Sequence, residues 1–368
     1  MRLLFTNPYF WPYVRRGSER AIHDLSVVMA QRGHQVRVVT RHPGRGVHVR
    51  RDDGFEVEYR PTSPTLNRLL RRDYLESFSL TAARAVIRHP ADVYHAFYPS
   101  DSYGLYLGTR LRKRPFIFSW HGIPQARWWA DNQPRTHRMY LRAMPGAARI
   151  TVMTNAAAQR MREDYNYDPV VIAPGTFVDD FQQTKVALPR PVVVCAAAVD
   201  DGRKRMDLLI DAFEAVVKGG RDVALLLIGS GDPALVKRHI ATKAPDIVSR
   251  IDVRPPENVD DIPGIYAGCT VGALTSVNEA FGLVVVEYLA AGMPAVVSDD
   301  GGSPEVLAPG TGFAFRSGDV AECASALGRA LDLAVDPATE ARCRERARDY
   351  DWSVRGDAYE ELYRDVLA

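Results

Sequence analysis

Apolar residues occur along this chain in short runs, which alternate with longer stretches whose apolar positions recur at the spacing of an amphipathic helix. Strands joined by crossover helices produce this alternation, so it predicts parallel sheets and an α/β fold. The first helix is expected over Ser18–Arg32, directly after the first strand. In the first half of the chain the predicted strands are Leu3–Thr6, Val36–Thr40, Val93–Ala96, Phe116–Trp120, Ile150–Val152 and Val170–Ile172.

The alternation is interrupted near the middle of the chain, where Ala173-Pro-Gly-Thr and the polar residues up to Pro191 have the composition of a loop. Because 368 residues exceed what one ordinary core needs, we expect two domains, residues 1–178 and 179–351. A last amphipathic helix is expected over Trp352–Leu367. The other elements predicted in the second half are strands Val192–Ala197, Ala224–Ile228, Ile251–Val253, Val271–Leu274 and Ala295–Ser298 and a helix over Ala321–Ala334.

Composition and charge narrow the class of protein. Apolar residues make up 46% and charged residues 25%, as in folded globular proteins. The 47 Lys and Arg against 45 Asp and Glu leave a formal charge of +2, which argues against a general nucleic-acid partner. Arginines gather only locally, at Arg15–Arg16, Arg45–Arg51 and Arg68–Arg72, and such clusters suit either a small anionic ligand or an ordinary solvated surface.

Three features of the sequence indicate the cellular compartment: the cysteines, the N-terminus and the lengths of the apolar runs. The cysteines are scattered without paired spacing inside apolar or helical segments, which indicates buried free thiols. The apolar run after Met1 is too short for a signal peptide, and no later run approaches the length of a membrane span. We therefore expect a cytoplasmic protein.

The segment Ser276-Val-Asn-Glu279-Ala-Phe-Gly282-Leu-Val-Val-Val-Glu287-Tyr-Leu-Ala-Ala-Gly292-Met-Pro294 reads as loop, helix and stop between two predicted strands. The helix is expected to begin near Phe281 or Gly282 and to end at Gly292, where a left-handed cap costs little, before Pro294 prevents continuation. Its N-terminus would offer free amides and the positive end of the helix dipole to a nucleotide diphosphate.

Two carboxylates flank this predicted N-terminus. Glu279 precedes the helix, and Glu287 lies eight residues later, roughly 12 Å along a helix that rises about 1.5 Å per residue. That separation is comparable to the distance from a donor sugar to its ribose. Taken alone, Glu287 can equally face solvent or pair with an arginine, but within its apolar surroundings it needs hydrogen-bond donors such as ribose hydroxyls.

With this spacing the chain resembles glycosyltransferase family 4, whose members carry two glutamates separated by seven residues, here Glu279 and Glu287. The resemblance implies a retaining enzyme with the GT-B fold, two Rossmann-like doubly wound parallel-sheet domains facing each other across a cleft. It also implies that Glu279 and the backbone of Ala280–Leu283, including Phe281 and Gly282, hold the donor sugar, and that Glu287 binds the ribose.

The resemblance extends to other positions of the second domain. Lys204 is similar to the family's lysine that contacts the leaving diphosphate, and Gly229 to the glycine of its strand-to-loop turn. Where the family usually has a second phosphate-binding arginine this chain has Val199, so Arg203 or Arg205 would have to replace it. Each of these arginines taken alone is typical of a surface residue.

In the first domain, Gly17 in Gly-Ser-Glu resembles the family's glycine-rich turn, and His121 lies at the end of a predicted strand, where such folds place ligands. We interpret His121 as catalytic together with Glu279 and Lys204, although a buried structural histidine and an ordinary turn are the simpler alternatives for the two positions. The resemblance further implies that residues 352–368 cross back to the first domain.

Other chemistries are disfavoured by missing motifs. Gly229-Ser-Gly231 lacks the third glycine of a dinucleotide fingerprint, and no Gly-Lys-Ser/Thr of an ATPase follows any strand. Asp200-Asp201 and Asp299-Asp300 adjoin glycines and indicate turns, so no metal and no other cofactor is expected.

The predicted function is transfer of a hexose or hexosamine-type sugar from a nucleotide-sugar donor, with UDP favoured by family frequency, to a small hydroxylated acceptor. The remaining alternatives are an epimerase or phosphorylase of the same fold, and a non-catalytic subunit that binds a sugar nucleotide. Peripheral membrane contact through the basic segment Arg68–Arg72 and Tyr74 is a further hypothesis.

Overall fold

The computed structural model describes residues 1–11, 13–14, 16–42, 44–61, 74–255 and 261–368. The chain divides into two compact units, of which unit 1 comprises Met1–Gly175 and Trp352–Ala368 and unit 2 comprises Thr176–Asp351. The segment Arg68–Arg72 and the side chain of Tyr74, proposed from the sequence for membrane contact, lie outside the described residues, as does Arg15.

Unit 1 is built on an eight-stranded sheet in the order β3-β4-β2-β1-β5-β6-β7-β8. Every neighbouring pair is parallel except β3 and β4, which form an antiparallel hairpin at the sheet edge. The strands are β1 (Arg2–Thr6), β2 (Gln35–His42), β3 (His48–Asp52), β4 (Phe55–Pro61), β5 (Val93–Ala96), β6 (Phe116–Trp120), β7 (Arg149–Val152) and β8 (Val170–Val171). The helices of unit 1 are α1 (Gly17–Gln31), α2 (Tyr74–Arg88), α3 (Pro99–Arg112), α4 (Ala126–Asn132), α5 (Pro134–Ala143), α6 (Asn155–Tyr165) and the last helix of the chain, α14 (Trp352–Asp365).

Unit 2 contains a six-stranded parallel sheet in the order β11-β10-β9-β12-β13-β14. Its strands are β9 (Val192–Ala196), β10 (Ala224–Ile228), β11 (Ile251–Arg254), β12 (Val271–Leu274), β13 (Ala295–Ser298) and β14 (Gly312–Phe315). Its helices are α7 (Met206–Lys218), α8 (Ala234–Ile240), α9 (Pro245–Val248), α10 (Ile262–Tyr266), α11 (Leu283–Ala290), α12 (Val320–Leu333) and α13 (Ala338–Arg348).

The α/β class predicted from the alternating pattern is confirmed, and each predicted strand lies within one or two residues of an observed one. The sequence pattern missed β3, β4 and β14. Strand β3 is His-Val-Arg-Arg-Asp with four exposed positions at the sheet edge, so it lacks the apolar run by which the other strands were recognised. Strand β14 is short and only its last residue, Phe315, is buried.

Helix α14 packs on unit 1, where it covers α1 and one face of the sheet. Arg32 at the end of α1 binds the carboxylates of Asp357 and Glu360 at 2.5 and 3.0 Å and donates to the Ser353 carbonyl. Gly356 allows close contact with Val28 of α1, since a Cβ there would lie 2.8 Å from a methyl of Val28. The C-terminal residues therefore complete the core of the unit in which the chain begins.

The two cores differ in the side chains that fill them. Unit 1 buries several aromatic rings between its sheet and helices, among them Phe116, Phe118, Trp120 and Tyr140. The unit 2 core is mainly aliphatic and includes two of the cysteines. All four cysteines are buried and free, as expected. Within the described ranges no helix combines the length and apolar character needed to cross a bilayer.

Candidate functional site

Two charged residues of unit 2 meet where the sheet connections change direction. The chain leaves β9 to form β10 on one side, whereas β12 lies on the other side of β9. The loops that follow β9 and β12 therefore run in opposite directions and leave a crevice at the carboxyl ends of the strands, which is where open α/β sheets bind ligands. Lys204 comes from the first loop and Glu279 from the second.

Lys204 and Glu279 form an ion pair, with Nζ 2.7 Å from Oε2. The two side chains are 18% and 19% exposed, so the pair is shielded from bulk water but remains within reach of a ligand. Partial burial strengthens the attraction compared with a surface pair and also lets the ammonium act strongly on an incoming anion. The sequence predicted both residues for the site, and the structure brings them together.

Hydrogen bonds between the two loops fix the position of this pair. The Thr275 hydroxyl donates to the carbonyls of Lys204 and Arg205 at 2.8 and 3.2 Å. The Val277 amide donates to the Arg203 carbonyl at 2.8 Å. Because Lys204 is held by its backbone, its side chain needs little reorganisation to meet a ligand, which is the condition for preorganised electrostatic stabilisation. Thr275 was not predicted from the sequence.

A third loop, after β13, holds the backbone of Glu279. The Gly302 amide donates to the Glu279 carbonyl at 2.8 Å, and the Glu279 amide donates to the Asp300 carbonyl at 3.3 Å. Gly301 has φ +120°, and a Cβ there would lie 2.1 Å from the Glu279 carbonyl oxygen. Only glycine fits so close to the neighbouring backbone. The consecutive glycines Gly301-Gly302, shortly after β13, are the sequence feature that indicates a tight turn here.

Helix α11 begins at Leu283, directly after the left-handed Gly282 (φ +86°). The predicted start near Phe281 or Gly282 was therefore early by one or two residues, and the left-handed Gly292 at its end (φ +76°) agrees with the predicted stop. The Ser303 hydroxyl is buried beside Gly282 and, like the buried hydroxyl of Ser276, has no hydrogen-bond partner among the described residues. Buried hydroxyls without partners are costly, so they are candidates to bind a polar ligand.

Glu287 lies on α11 and is 7% exposed. The alternative in which it faces solvent is therefore wrong. Phe281 is also buried and its ring packs edge-on against Tyr350, with the centroids 5.4 Å apart, so it supports the loop through its side chain. Ala280 is buried as well. The small and apolar residues Ala280–Gly282 thus form a compact, buried turn that leads into the first amides of α11.

The two arginines beside Lys204 already have carboxylate partners. Arg203 binds Asp201 at 2.6 Å, and Arg205 lies 3.4 Å from Asp207. Although burial alone would raise the pKa of Asp201, its hydrogen bonds with Arg203 lower that pKa. Val199 is buried in the hydrophobic core and supplies no cation. Lys204 is therefore the cation best placed beside Glu279, whereas the Arg203 guanidinium is already held by Asp201.

Gly229 follows β10 and lies against the loop that leads to Lys204. A Cβ at Gly229 would be 1.7 Å from the Ala197 carbonyl oxygen, so the close approach of the two strand ends requires glycine here. The next glycine, Gly231, has φ +105° and faces the Asp200 carboxylate. Gly229 consequently contributes to the crevice by permitting the packing of its walls.

The two predicted site residues of the first half lie in unit 1. Gly17 is the first residue of α1, and His121 directly follows β6. Both ring nitrogens of His121 are buried without a hydrogen bond of ordinary geometry to a described residue, and the ring packs edge-on against Phe97 at 5.1 Å. Burial lowers the pKa of His121 to about 3, partly opposed by the Ser18 backbone, so the ring is neutral at neutral pH.

A neutral imidazole whose nitrogens make no hydrogen bond of ordinary geometry to the described residues can offer one donor and one acceptor to a ligand hydroxyl. His95, which also ends a strand, differs from His121. Its two nitrogens hydrogen-bond to the hydroxyls of Tyr363 and Ser119 at 2.9 and 2.7 Å, so it belongs to the core of unit 1.

The aspartate pairs considered as metal ligands have structural partners. Asp201 caps the turn before Lys204 by accepting from the Arg203 amide, and Asp299 accepts from the Ser317 amide. Among the described residues, one group with ligand atoms close enough to share an ion consists of His23, Asp52 and Asp53 of unit 1. Asp52 there also pairs with Arg50 at 3.1 Å.

Comparisons with known proteins point to one family along most of the chain. Residues 15–179 match the family model described as Glycosyltransferase Family 4, and residues 190–332 match that described as Glycosyl transferases group 1. The chain is 27% identical to the phosphatidyl-myo-inositol mannosyltransferase of Mycobacterium leprae, across 100% of this chain and 97% of the relative. It is 26% identical to the D-inositol 3-phosphate glycosyltransferase of Saccharomonospora viridis, across 94% of this chain and 88% of the relative.

Two solved structures have the same fold along the whole chain. Sucrose-phosphate synthase from Thermosynechococcus elongatus superposes with a TM-score of 0.83 at 18% identity, covering 100% of this chain and 99% of that one. Anabaena HepE, solved in complex with UDP-glucose, superposes with a TM-score of 0.77 at 19% identity, covering 99% and 100%. The two family models span most of both units, and Lys204 and Glu279, two of the residues that suggested the family, form an ion pair in unit 2. The chain is therefore a glycosyltransferase that belongs to glycosyltransferase family 4, with the GT-B fold.

Proposed function

We propose that this protein transfers a hexose, with retention of anomeric configuration and without a metal ion, from a nucleoside diphosphate sugar to a hydroxyl of a small acceptor. Unit 2 would bind the donor and unit 1 the acceptor. The observation that carries the proposal is the Lys204–Glu279 ion pair beside the start of α11. A donor sugar nucleotide has a diphosphate for the lysine and helix amides, and hydroxyls for the glutamate.

In this reaction the bond between the anomeric carbon and the diphosphate oxygen breaks, and a bond to the acceptor oxygen forms on the same face. The acceptor proton would pass to a donor phosphate oxygen. The negative charge that develops on the leaving diphosphate is stabilised by Lys204 and by the first-turn amides of α11, which are preorganised and cost little reorganisation. Glu279 would orient the sugar hydroxyls, and the neutral His121 would accept or donate a hydrogen bond to substrate.

For the nucleotide we propose uridine diphosphate, and guanosine diphosphate is the second candidate. A Corynebacterium glutamicum relative, 29% identical over 45% of this chain, carries the name of a GDP-mannose-dependent mannosyltransferase. HepE was solved with UDP-glucose. The names of the full-length relatives refer to inositol 3-phosphate and phosphatidylinositol, both of which present ring hydroxyls. A small polyhydroxylated ring is accordingly the acceptor class that we propose.

Thermal unfolding with a panel of UDP, GDP, ADP and dTDP sugars, each with magnesium and with a chelator, tests the donor. A ligand at about 100 times its Kd adds about 2.7 kcal/mol to the folded state, which corresponds to a rise in Tm of about 5 °C or more. The proposal expects one nucleotide to give this rise equally with and without magnesium. A shift seen only with magnesium would contradict the metal-independent mechanism.

A matched pair of variants assigns the effect to the proposed site. Lys204→Gln should abolish the donor-induced shift, whereas Lys218→Gln removes a lysine that pairs with Glu214 at 2.8 Å on the surface of α7 and should leave it unchanged. Incubation with donor alone would reveal isomerised sugar if the protein were an epimerase, and phosphate-dependent turnover would reveal a phosphorylase. An inverted anomer in the product, measured by NMR, would rule out the retaining mechanism.

A further inference from the structure

A histidine of helix α1 lies beside the turn that joins strands β3 and β4 in unit 1. His23 is on α1, Asp52 is the last residue of β3, and Asp53 follows it in the turn. One ring nitrogen of His23 and one carboxylate oxygen from each aspartate lie within 4.8 Å of one another. We call these three residues the hairpin cluster. It brings an imidazole and two carboxylates together from segments that are distant in the sequence.

The contact between His23 and Asp52 is too long for a hydrogen bond. Nε2 of His23 lies 3.6 Å from Oδ2 of Asp52, and this oxygen is buried without a hydrogen-bond partner among the described residues. Buried polar atoms normally have partners, and hydrogen-bonded nitrogen and oxygen atoms are closer together than this. Two ligand atoms of one tetrahedral zinc ion would be about 3.4 Å apart. The observed separation therefore fits two atoms that share a metal ion better than a donor and its acceptor.

The other nitrogen of the His23 ring has the kind of partner that metal-binding histidines have. Nδ1 lies 3.2 Å from Oδ1 of Asp24, the next residue of α1. When Nδ1 donates its proton to Asp24, Nε2 carries a lone pair that faces the Asp52 carboxylate. These two acceptors repel each other unless a cation lies between them. A carboxylate that binds the second ring nitrogen is the usual means by which proteins orient a histidine towards a metal ion.

The charges around the hairpin cluster leave one carboxylate uncompensated. Arg50 pairs with Oδ1 of Asp52 at 3.1 Å, and Arg20 lies 3.5 Å from Asp24. Asp53 is exposed and makes no ion pair within the part of the chain that the structure describes. Because Asp53 lies at the surface, a change of its side-chain rotamer can bring its carboxylate to an ion that the other two residues hold.

Aromatic side chains fix the position of the His23 ring. The ring packs edge-on against Phe55, with the centroids 5.5 Å apart, and lies 6.0 and 6.2 Å from the rings of Phe10 and Trp11. The side chains of His23 and Asp52 are only 15% and 11% exposed. Two of the three ligands are thus held by packing and shielded from bulk water, which strengthens their attraction for a cation.

We propose that His23, Asp52 and Asp53 bind a zinc ion, with a water molecule as the fourth ligand. Zinc accepts imidazole nitrogen together with carboxylate oxygen in a tetrahedral site, whereas magnesium prefers oxygen ligands and octahedral geometry. The ion would link α1 to the β3–β4 hairpin, whose edge strand β3 has four exposed positions and therefore little apolar surface to bury. The role of this ion is structural, and the inference does not depend on the proposed transfer reaction.

Zinc content and thermal unfolding of the full chain, without an affinity tag, test the proposal. We expect about one zinc ion per chain by mass spectrometry of the metal. At about 100 times its Kd, zinc should raise the Tm of the metal-free protein by about 5 °C or more. Magnesium at the same concentration should not. Removal of zinc should leave the Kd of the donor nucleotide unchanged, because the proposed donor-binding residues lie in unit 2.

Three variants assign the ion to the hairpin cluster. Asp53→Asn should lower the zinc affinity by about 100-fold or more, because it removes a charged ligand. Asparagine readily adopts the left-handed backbone of this position (φ 42°), so the fold should be kept. His23→Gln should have the same effect on zinc. Asp24→Asn, which removes the partner of Nδ1, should lower the affinity by about 10-fold to 100-fold.

The matched control is His239→Gln in unit 2. The His239 ring also contacts an aspartate, Asp211, at 2.7 Å, but there the ammonium of Lys243 binds the same carboxylate oxygen. This variant should bind zinc as the unmodified protein does. Circular dichroism of each variant establishes that it is folded.

Four outcomes would overturn the proposal. The first is a Tm that zinc does not change, and the second is an unchanged zinc affinity in Asp53→Asn. Equal loss of zinc in His239→Gln would indicate unspecific binding at surface histidines. NMR that showed protons on both nitrogens of the His23 ring, with no response to zinc, would identify the ring itself as the cation between the two aspartates.

Discussion

At the scale of single residues, the two motif glutamates have different surroundings and should have different roles. Glu279 is partly exposed and bound to Lys204, whereas Glu287 is buried on α11. We expect Glu279→Gln to lower kcat by about 100-fold, because it removes an oriented charge at the reacting sugar. Glu287→Gln should instead raise the Kd of the nucleotide by about tenfold, since it weakens one hydrogen-bond acceptor.

Steady-state kinetics and calorimetric titration of the nucleotide distinguish these two effects. Glutamine is preferred to alanine at both positions because alanine at the buried Glu287 would also leave a cavity. Unchanged nucleotide affinity in Glu287→Gln, with the fold intact, would mean that this residue has a purely structural role in α11.

His121 should make the stability of unit 1 depend on pH. Its pKa falls from 6.5 to about 3 on folding because of burial. Below pH 6.5 the unfolded chain binds a proton at His121 more readily than the folded protein does. The contribution of His121 to stability is therefore fully present above pH 6.5 and is lost as the pH falls from 6.5 towards 3. The full loss corresponds to about 5 kcal/mol. Urea unfolding at a series of pH values should show this fall, and it should be smaller in His121→Asn.

The comparison between unmodified protein and variant isolates the share of His121, since burial also lowers the pKa of His34 and His137. Parallel pH profiles for the two proteins would show that His121 is solvated when unit 1 is folded. The same variant should retain most of its stability at neutral pH, because the ring makes no hydrogen bond of ordinary geometry to the described residues that it could lose there.

At the scale of elements, the three loops around Glu279 depend on glycines that permit close backbone contact. Gly301 has φ +120° and a Cβ there would meet the Glu279 carbonyl at 2.1 Å, whereas Gly220 has φ +90° and open space around it. We expect Gly301→Ala to lower the free energy of unfolding by about 3 kcal/mol or more and to abolish donor binding. Gly220→Ala should lower it by about 1 kcal/mol and leave donor binding intact.

Chemical denaturation and donor-induced thermal shifts measure both effects. Both glycines have a positive φ, so the difference between the variants mainly reports the close contact at Gly301. Similar losses in the two variants would mean that the loop after β13 moves freely away from Glu279.

The sequence predicted those elements whose own residues carry the signal. Buried parallel strands such as β6 and β12 have apolar runs, and α11 has a glycine at each end, so both kinds of element were recognised. Strand β3 was missed because its stability comes from pairing with β4, which leaves no apolar pattern in its own sequence. Pairing between distant segments cannot be deduced from local periodicity.

For the candidate site, the sequence predicted individual residues but not the contacts between them. Glu279 and Lys204 were identified by spacing and resemblance, but their ion pair joins residues 75 positions apart. Thr275 and Gly301 contact the backbones of other loops; the consecutive glycines Gly301-Gly302 indicate a tight turn, but neither composition nor spacing identifies the loop that the turn contacts. The sequence also did not predict the carboxylate partners of Arg203 and Arg205, although Asp201 and Asp207 are only two residues away from these arginines.

At the scale of the whole molecule, the chain passes from unit 1 to unit 2 and returns. Unit 2 is one continuous segment, Thr176–Asp351, with its own sheet and core, whereas unit 1 needs two segments. Helix α14 supplies the Tyr363 hydroxyl that binds His95 and the carboxylates that bind Arg32. Without α14, these groups and the adjoining apolar face of unit 1 would be exposed to water.

This asymmetry predicts that the two units behave differently when they are produced alone. A fragment of residues 176–351 should unfold cooperatively and bind the donor nucleotide with a Kd close to that of the full chain, because Lys204, Glu279 and Glu287 all lie within it. A fragment of residues 1–175 should be unstable or aggregate, since it lacks α14. Joining residues 352–368 to residue 175 through a flexible linker should restore its cooperative unfolding, because Gly175 and Trp352 are in direct contact. Circular dichroism melts and nucleotide titrations of the three fragments test these expectations. If fragment 1–175 were stable, the core of unit 1 would be complete without α14.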